Sequence, residues 1–161
     1  IFDFIVVGGG VAGAVMAGRL SEEADWRVLL LEAGSEEPTT SSIPAFAVSA
    51  VGTDLDWKFK TEPQPGACGK TGGVCSWPRG KMLGGTGAMT GMMYFRGHRQ
   101  LFDSWAAAGN AGWSYEEVLP YFIKAENNKN PELVETAYHG YQGPLTVQRF
   151  SHKPAFVDDV L

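Results

Sequence analysis

An α/β fold opening on a parallel βαβ unit is what this sequence predicts, and three observations predict it. Residues 2–7 and 27–31 are short apolar, β-branched-rich runs, the composition of strands covered on both faces. Three consecutive glycines, Gly8-Gly9-Gly10, end the first run. Between the runs, Val11, Val15 and Leu20 recur at helical spacing over 11–21. Strand, helix and strand of these lengths form a right-handed crossover with the two strands parallel.

The rest of the composition narrows the class. At 161 residues the chain is about one domain long, and its 44 % apolar and 19 % charged residues are those of a folded protein. A net charge of −5 argues against a nucleic-acid partner, which calls for clustered Lys and Arg. No apolar run nears the ~18 residues of a membrane span. Glycine is the outlier, with 21 residues where ordinary usage is ~7 %. Ten of them fall between Gly66 and Gly97 without a repeat, which reads as backbone folded tightly around something.

Taken in order, the elements are these. After the second strand, 35–53 is rich in Ser, Thr, Pro and Gly and predicts a surface excursion with an apolar patch at 43–51. A strand is expected at 56–61 and a loop at 62–74. Helices are expected at 102–108 and 114–124, with Ser114 as N-cap and Glu117 in the capping-box place. A polar break follows at 127–130, then a turn at 139–144 leading into a strand at 145–149. The last residues, 155–161, carry an amphipathic helical pattern. Residue 1 is Ile and a strand begins at once, so the expectation is a piece of a longer protein, with no signal peptide visible.

The chemistry begins at Gly8-x-Gly10-x-x-Gly13, which sits between strand and helix as the dinucleotide fingerprint requires. Gly8 permits the tight turn, Gly10 lacks a Cβ that would block a pyrophosphate, and Gly13 lets helix and strand pack closely. Val11 and Ala12 open the helix, where free N–H groups and the positive dipole end favour an anion. Glu32 ends the second strand 19 residues after Gly13, placed to accept from ribose hydroxyls, with Ala33 beside it. The pattern supports a nucleotide over a bare turn, and leaves NAD and FAD both open.

A second block, from Arg79-Gly80-Lys81-Met82-Leu83-Gly84-Gly85-Thr86 to Thr90 and on to Phe95-Arg96-Gly97, resembles a signature of the glucose–methanol–choline (GMC) oxidoreductases. Similar stretches run from Asp56-Trp57 to Pro63-Gln64, through Gly112-Trp113-Ser114-Tyr115, and at His139-Gly140 with Gly143-Pro144-Leu145. The resemblance covers essentially the whole chain and is strongest for the insect-type dehydrogenase branch. It implies a Rossmann-like, p-hydroxybenzoate-hydroxylase-like FAD-binding domain over 1–130 and the start of an antiparallel-sheet substrate domain over 131–161. It implies FAD as cofactor, held by Lys81, Leu83, Gly84, Gly85, Thr86 and Thr90 together with the first motif. The implied reaction oxidises a CH–OH donor, a sugar or simple alcohol, passing hydride to flavin and then electrons to a quinone-type acceptor or oxygen. In this family the base is a His near the C-terminus, so no catalytic residue is expected within the chain.

Two departures bear on the site. Thr86-Gly87 stands where a Ser/Thr-Ser pair is usual, and Thr90 replaces the usual Asn, losing its amide. Met89 occupies the place where some relatives bond a His covalently to FAD, which excludes attachment there. The alternatives are an NAD-linked dehydrogenase on the same βαβ unit and a non-catalytic flavin-binding descendant.

The remaining candidates weigh toward structure. Cys68 and Cys75 lie seven apart and lack partners for a metal site; they form a small-loop disulfide if the protein is secreted, or remain two free thiols. An extracellular setting is the expectation. Trp57, Trp77, Trp105 and Trp113 are expected in the core. His139 is expected as a turn residue, since no acid lies near it in sequence. The pairs Glu36-Glu37, Glu116-Glu117 and Asp158-Asp159 read as solvated charges, a helix first turn and a helix face.

Overall fold

The computed structural model describes residues 1–46, 48–134 and 136–150, and the chain divides into two compact units, Ile1–Met93 and Tyr94–Leu161. The helix expected at 155–161 lies outside the described residues.

In the first unit, strand β1 (Phe4–Val7) pairs in parallel with β2 (Val28–Leu31), in register from Phe4 opposite Val28 to Val7 opposite Leu31. Helix α1 (Val11–Leu20) is the crossover, as its spacing predicts. Gly13 makes that packing possible, because a Cβ there would lie 1.9 Å from the Gly8 carbonyl oxygen. The excursion at 35–53 folds into two 3-10 turns, Thr39–Ser42 and Pro44–Phe46, and delivers Ala50 to a small core with Met82 and Met89.

The strand expected at 56–61 is shorter. Only Phe59–Lys60 (β3) is extended, paired antiparallel with Ser76–Trp77 (β4). The cause is Lys58, whose φ of 53° puts a left-handed residue into the run and ends the pleat. Beyond this short hairpin a disulfide joins Cys68 to Cys75, which selects between the two states the residues leave open. After β4 the chain returns along the first unit and closes in a 3-10 turn, Gly85–Met89.

In the second unit, α2 (Arg99–Ala107) and α3 (Tyr115–Ala125) pack through the ring of Phe102, which meets Trp105, Tyr115 and Phe122. Ser114 caps α3 with a complete capping box to Glu117. The polar stretch at 127–130 is not a break. Glu126–Asn128 is a strand (β5) paired in parallel with Leu145–Val147 (β6), with a short helix α4 (Pro131–Val134) after it. Its polarity hid it: Glu126, Asn128 and Asn130 are buried because they bond to one another, not because they are apolar.

The four indoles expected in the core stand instead at the surface, between 39 % and 52 % exposed. Trp105 and Trp113 pack edge-to-face on each other, 5.7 Å apart, and Trp57 stacks on Phe59. No helix among the described residues is long and apolar enough to cross a membrane.

Candidate functional site

The site assembles where the two glycine blocks meet, within the first unit. The Gly84 N–H donates to the Gly9 carbonyl at 2.8 Å, and Gly84 bridges Gly10 in parallel. One step on, Gly85 lies so close that a Cβ would sit 2.8 Å from the Gly10 Cα, with φ at 55° besides. The contact requires glycine at Gly85, while a Cβ on Gly10 would meet the Gly85 Cα only at 3.9 Å, an ordinary contact. Leu83 completes it, donating its N–H to the Ser35 carbonyl while its side chain closes against Gly9.

Glu32 ties the first block to the second strand. Its carboxylate accepts the Gly9 N–H at 2.7 Å and the Gly34 N–H at 2.8 Å. The N–H of Gly34, then that of Gly9, hold the carboxyl below the usual carboxylate range, so Glu32 is ionised at neutral pH. Gly9, an unassigned position of the fingerprint, is therefore an orienting residue that the motif alone did not single out.

These pieces surround a cavity of about 640 Å³, within the usual range for a small-molecule site. Of the residues expected from the sequence, Gly8, Gly10, Glu32, Ala33, Gly85 and Thr86 line it. Gly13, Leu83 and Gly84 have packing roles around it, while Val11 and Ala12 sit at the exposed start of α1. Lys81 places its ammonium 4.9 Å from the Trp57 ring centre. Thr86 accepts the Gly80 N–H at 3.1 Å, and the exposed Thr90 hydroxyl accepts from Met92 within its own turn.

The aromatic wall of the cavity was not anticipated. Trp57 and Phe59, stacked 5.8 Å apart with rings 3° from parallel, line the cavity with Arg79 and Gly80. No alternation rule puts the two aromatics on one side, because the left-handed Lys58 between them breaks the extended path.

No metal-binding cluster occurs among the described residues. Two of the three histidines fall within them. His98 caps α2 by accepting the Gln100 N–H, and His139 faces an acid after all: its Nδ1 lies 3.1 Å from the buried Glu126 carboxylate, brought 13 residues across the β5 turn.

A strand, a glycine turn and a helix, with an ionised acid at the next strand end, define a dinucleotide-binding α/β protein. A second glycine block laid across that turn narrows the class further. The sequence pattern of the GMC oxidoreductases matches residues 2–161, and the chain belongs to that family. It is 51 % identical, over 95 % of its length, to glucose dehydrogenase (FAD, quinone) of Drosophila pseudoobscura pseudoobscura, and covers 25 % of that protein. It is 41 % identical over 92 % of its length to the mitochondrial choline dehydrogenase of Mus musculus, again covering 25 % of it. Among solved structures, pyridoxine 4-oxidase from Mesorbium loti superposes with a TM-score of 0.79 at 38 % identity, over 91 % of this chain and 28 % of that one. The chain thus spans about a quarter of the length of the curated relatives it matches.

Proposed function

We propose that this chain is the cofactor-binding part of an FAD-dependent oxidoreductase acting on CH–OH donors. The observation that carries this is the docking of Gly84 and Gly85 on Gly9 and Gly10 beside an ionised Glu32. The residues fit the cofactor. The missing Cβ of Gly10 faces only the Gly85 Cα, at 3.9 Å, so the cavity side of the turn stays open to a ligand backbone. Glu32 keeps lone pairs beyond the two N–H groups it accepts, enough for a pair of ribose hydroxyls.

FAD, when bound, supplies the hydride acceptor for an alcohol or sugar donor. The chain's own work is to bind and orient. The α1 start keeps unspent N–H groups, since Ala14 is the first helix residue bonded back, to Gly10, and these would hold the cofactor's diphosphate. Glu32 selects ribose hydroxyls and repels a phosphate there, while Trp57 and Phe59 offer an aromatic wall. Residues 1–130 then serve the cofactor and 131–161 begin the substrate-binding part. The Drosophila relative, named for FAD and quinone, supports a quinone-type acceptor and a sugar substrate, and disfavours the NAD-linked alternative. The Cys68–Cys75 bond supports an extracellular setting.

The test is flavin retention by the full polypeptide containing this chain. Wild type should purify yellow. In Glu32→Ala, loss of charge-assisted hydrogen bonds should weaken FAD binding about tenfold or more, read by flavin fluorescence after dialysis. Colourless wild type that takes up no FAD would overturn the proposal.

A further inference from the structure

Among the described residues of the first unit, Asp56 is the buried carboxylate. It does not line the cavity, yet it is bonded to the segments that do. Its Oδ1 accepts the Lys58 N–H and the Arg79 N–H, both at 2.9 Å, and its Oδ2 accepts the Gly52 N–H at 2.9 Å. Lys58 lies between the two aromatics in sequence and Arg79 pairs with Trp57 on the return segment, so one oxygen joins the aromatic segment to the one that runs beside it.

The Lys58 bond has a particular consequence. A lysine at φ 53° is in a backbone region that side-chain-bearing residues avoid. The Asp56 oxygen, bonding two residues on, stabilises that turn. The turn sets how Trp57 and Phe59 face the cavity. On the return segment, the Trp57 N–H bonds the Arg79 carbonyl at 2.8 Å, and Asp56 bridges Gly80 in antiparallel register. Gly80 in turn donates to Thr86, the hydroxyl of the second glycine block. The path from Asp56 to the cavity is therefore short on every side.

We infer that Asp56 is a positioning residue for the FAD site, acting through Trp57 and Arg79 without touching the ligand. This rests on the cofactor reading given above and adds a determinant of affinity to it. A carboxylate is what the place requires. It carries only acceptors, and three N–H donors converge on it. An Asn keeps one carbonyl oxygen for Lys58 and Arg79 but turns an N–H₂ toward the Gly52 N–H. An Ala leaves all three donors unbonded.

The experiment uses the full polypeptide with FAD as the probe. FAD dissociation constants are measured by flavin fluorescence for wild type, Asp56→Asn, Asp56→Ala, Trp57→Ala and the double variant Asp56→Ala/Trp57→Ala. Thermal melts of the apoproteins are recorded in parallel. The expected result is a dissociation constant raised about tenfold by Asp56→Ala and about threefold by Asp56→Asn. In the Trp57→Ala background the Asp56→Ala effect should shrink to about twofold, because residues acting through one another are not additive. A merely structural role would lower the apoprotein melt and leave the tenfold effect unchanged in that background, and this outcome would overturn the inference. Equal FAD affinity in wild type, Asp56→Asn and Asp56→Ala would do the same. If Asp56→Ala does not fold, Asp56→Asn alone and in the Trp57→Ala background decides by the same criterion. Failure of wild type itself to bind FAD would instead sink the cofactor proposal, so the two failures are told apart.

Discussion

Glu32 and Asp56 in the first unit and Glu126 in the second are all carboxylates held below their ordinary pKa, by different means. Glu32 and Asp56 are satisfied by main-chain N–H groups: Gly34 and Gly9 for one, Gly52, Lys58 and Arg79 for the other. Glu126 is fully buried, which works to raise its pKa; the Gly140 N–H, the His139 ring and the Arg96 guanidinium outweigh that. Arg96 reaches it at 2.6 Å, and Asn128 donates at 3.1 Å. The difference is in what each carboxylate fixes. Main-chain donors tie a side chain to the path of the backbone, whatever the neighbouring side chains are. Side-chain donors tie it to particular residues, so the Glu126 cluster is exposed to substitution at Arg96, Asn128 and His139 as well as at itself.

The largest expected effect tests that exposure. Glu126→Ala removes one partner of a buried ion pair and leaves Arg96 and Asn128 without their acceptor, a change worth about 3–5 kcal/mol. Denaturant unfolding followed by tryptophan fluorescence should show it in the second unit's indoles, Trp105 and Trp113. A loss below about 1 kcal/mol would mean that the pair is solvated and the contrast with the first unit false.

Acid should expose the same carboxylate in wild type. A carboxyl whose folded pKa is depressed adds stability that is complete above its unfolded pKa, about 4.3, and is lost as pH falls through the folded value. The stability gap between wild type and Glu126→Ala should therefore be widest near pH 6 and narrow steadily below about pH 4. A gap independent of pH would assign the effect to packing and not to charge.

The smallest effect concerns a carboxylate whose partner is local. Glu117 accepts from Ser114 N–H and Oγ, and Ser114 Oγ accepts the Glu117 N–H. Ser114→Ala should cost about 1 kcal/mol, a melting shift of a few degrees, without altering FAD affinity.

Legibility in the sequence runs the other way, from the smallest effect to the largest. The Ser114–Glu117 box joins residues three apart and can be recognised on sight. Glu32 is legible because strand, turn and helix lengths fix where the second strand ends. Asp56 and Glu126 find their partners 23 and 30 residues away, at Arg79 and Arg96, and no local pattern reports that. The same reason hid β5, whose side chains are polar because their partners are, and shortened the expected strand at 56–61, where one left-handed lysine interrupts a run that alternates well on paper. The indoles were misplaced because aromatic content says how much surface a residue can bury, not which neighbour covers it. What the glycine pattern could convey was the cradle's floor; its aromatic wall depends on a hairpin register.

The meeting of Gly10 with Gly84 also sets an order of assembly. The β1–β2 pairing joins residues 24 apart in sequence, while the glycine contact joins residues 74 apart. Closing the longer loop costs about 1 kcal/mol more in chain entropy, and it has no surface to land on until the βαβ unit exists. The cradle therefore closes late: the strands form first, and the segment carrying Gly84 arrives on a turn already made. Pulse-labelled hydrogen exchange during refolding should protect the amides of Leu29 and Leu31, on the β1 side of the ladder, before that of Gly84, whereas simultaneous protection would mean that the unit folds in one step.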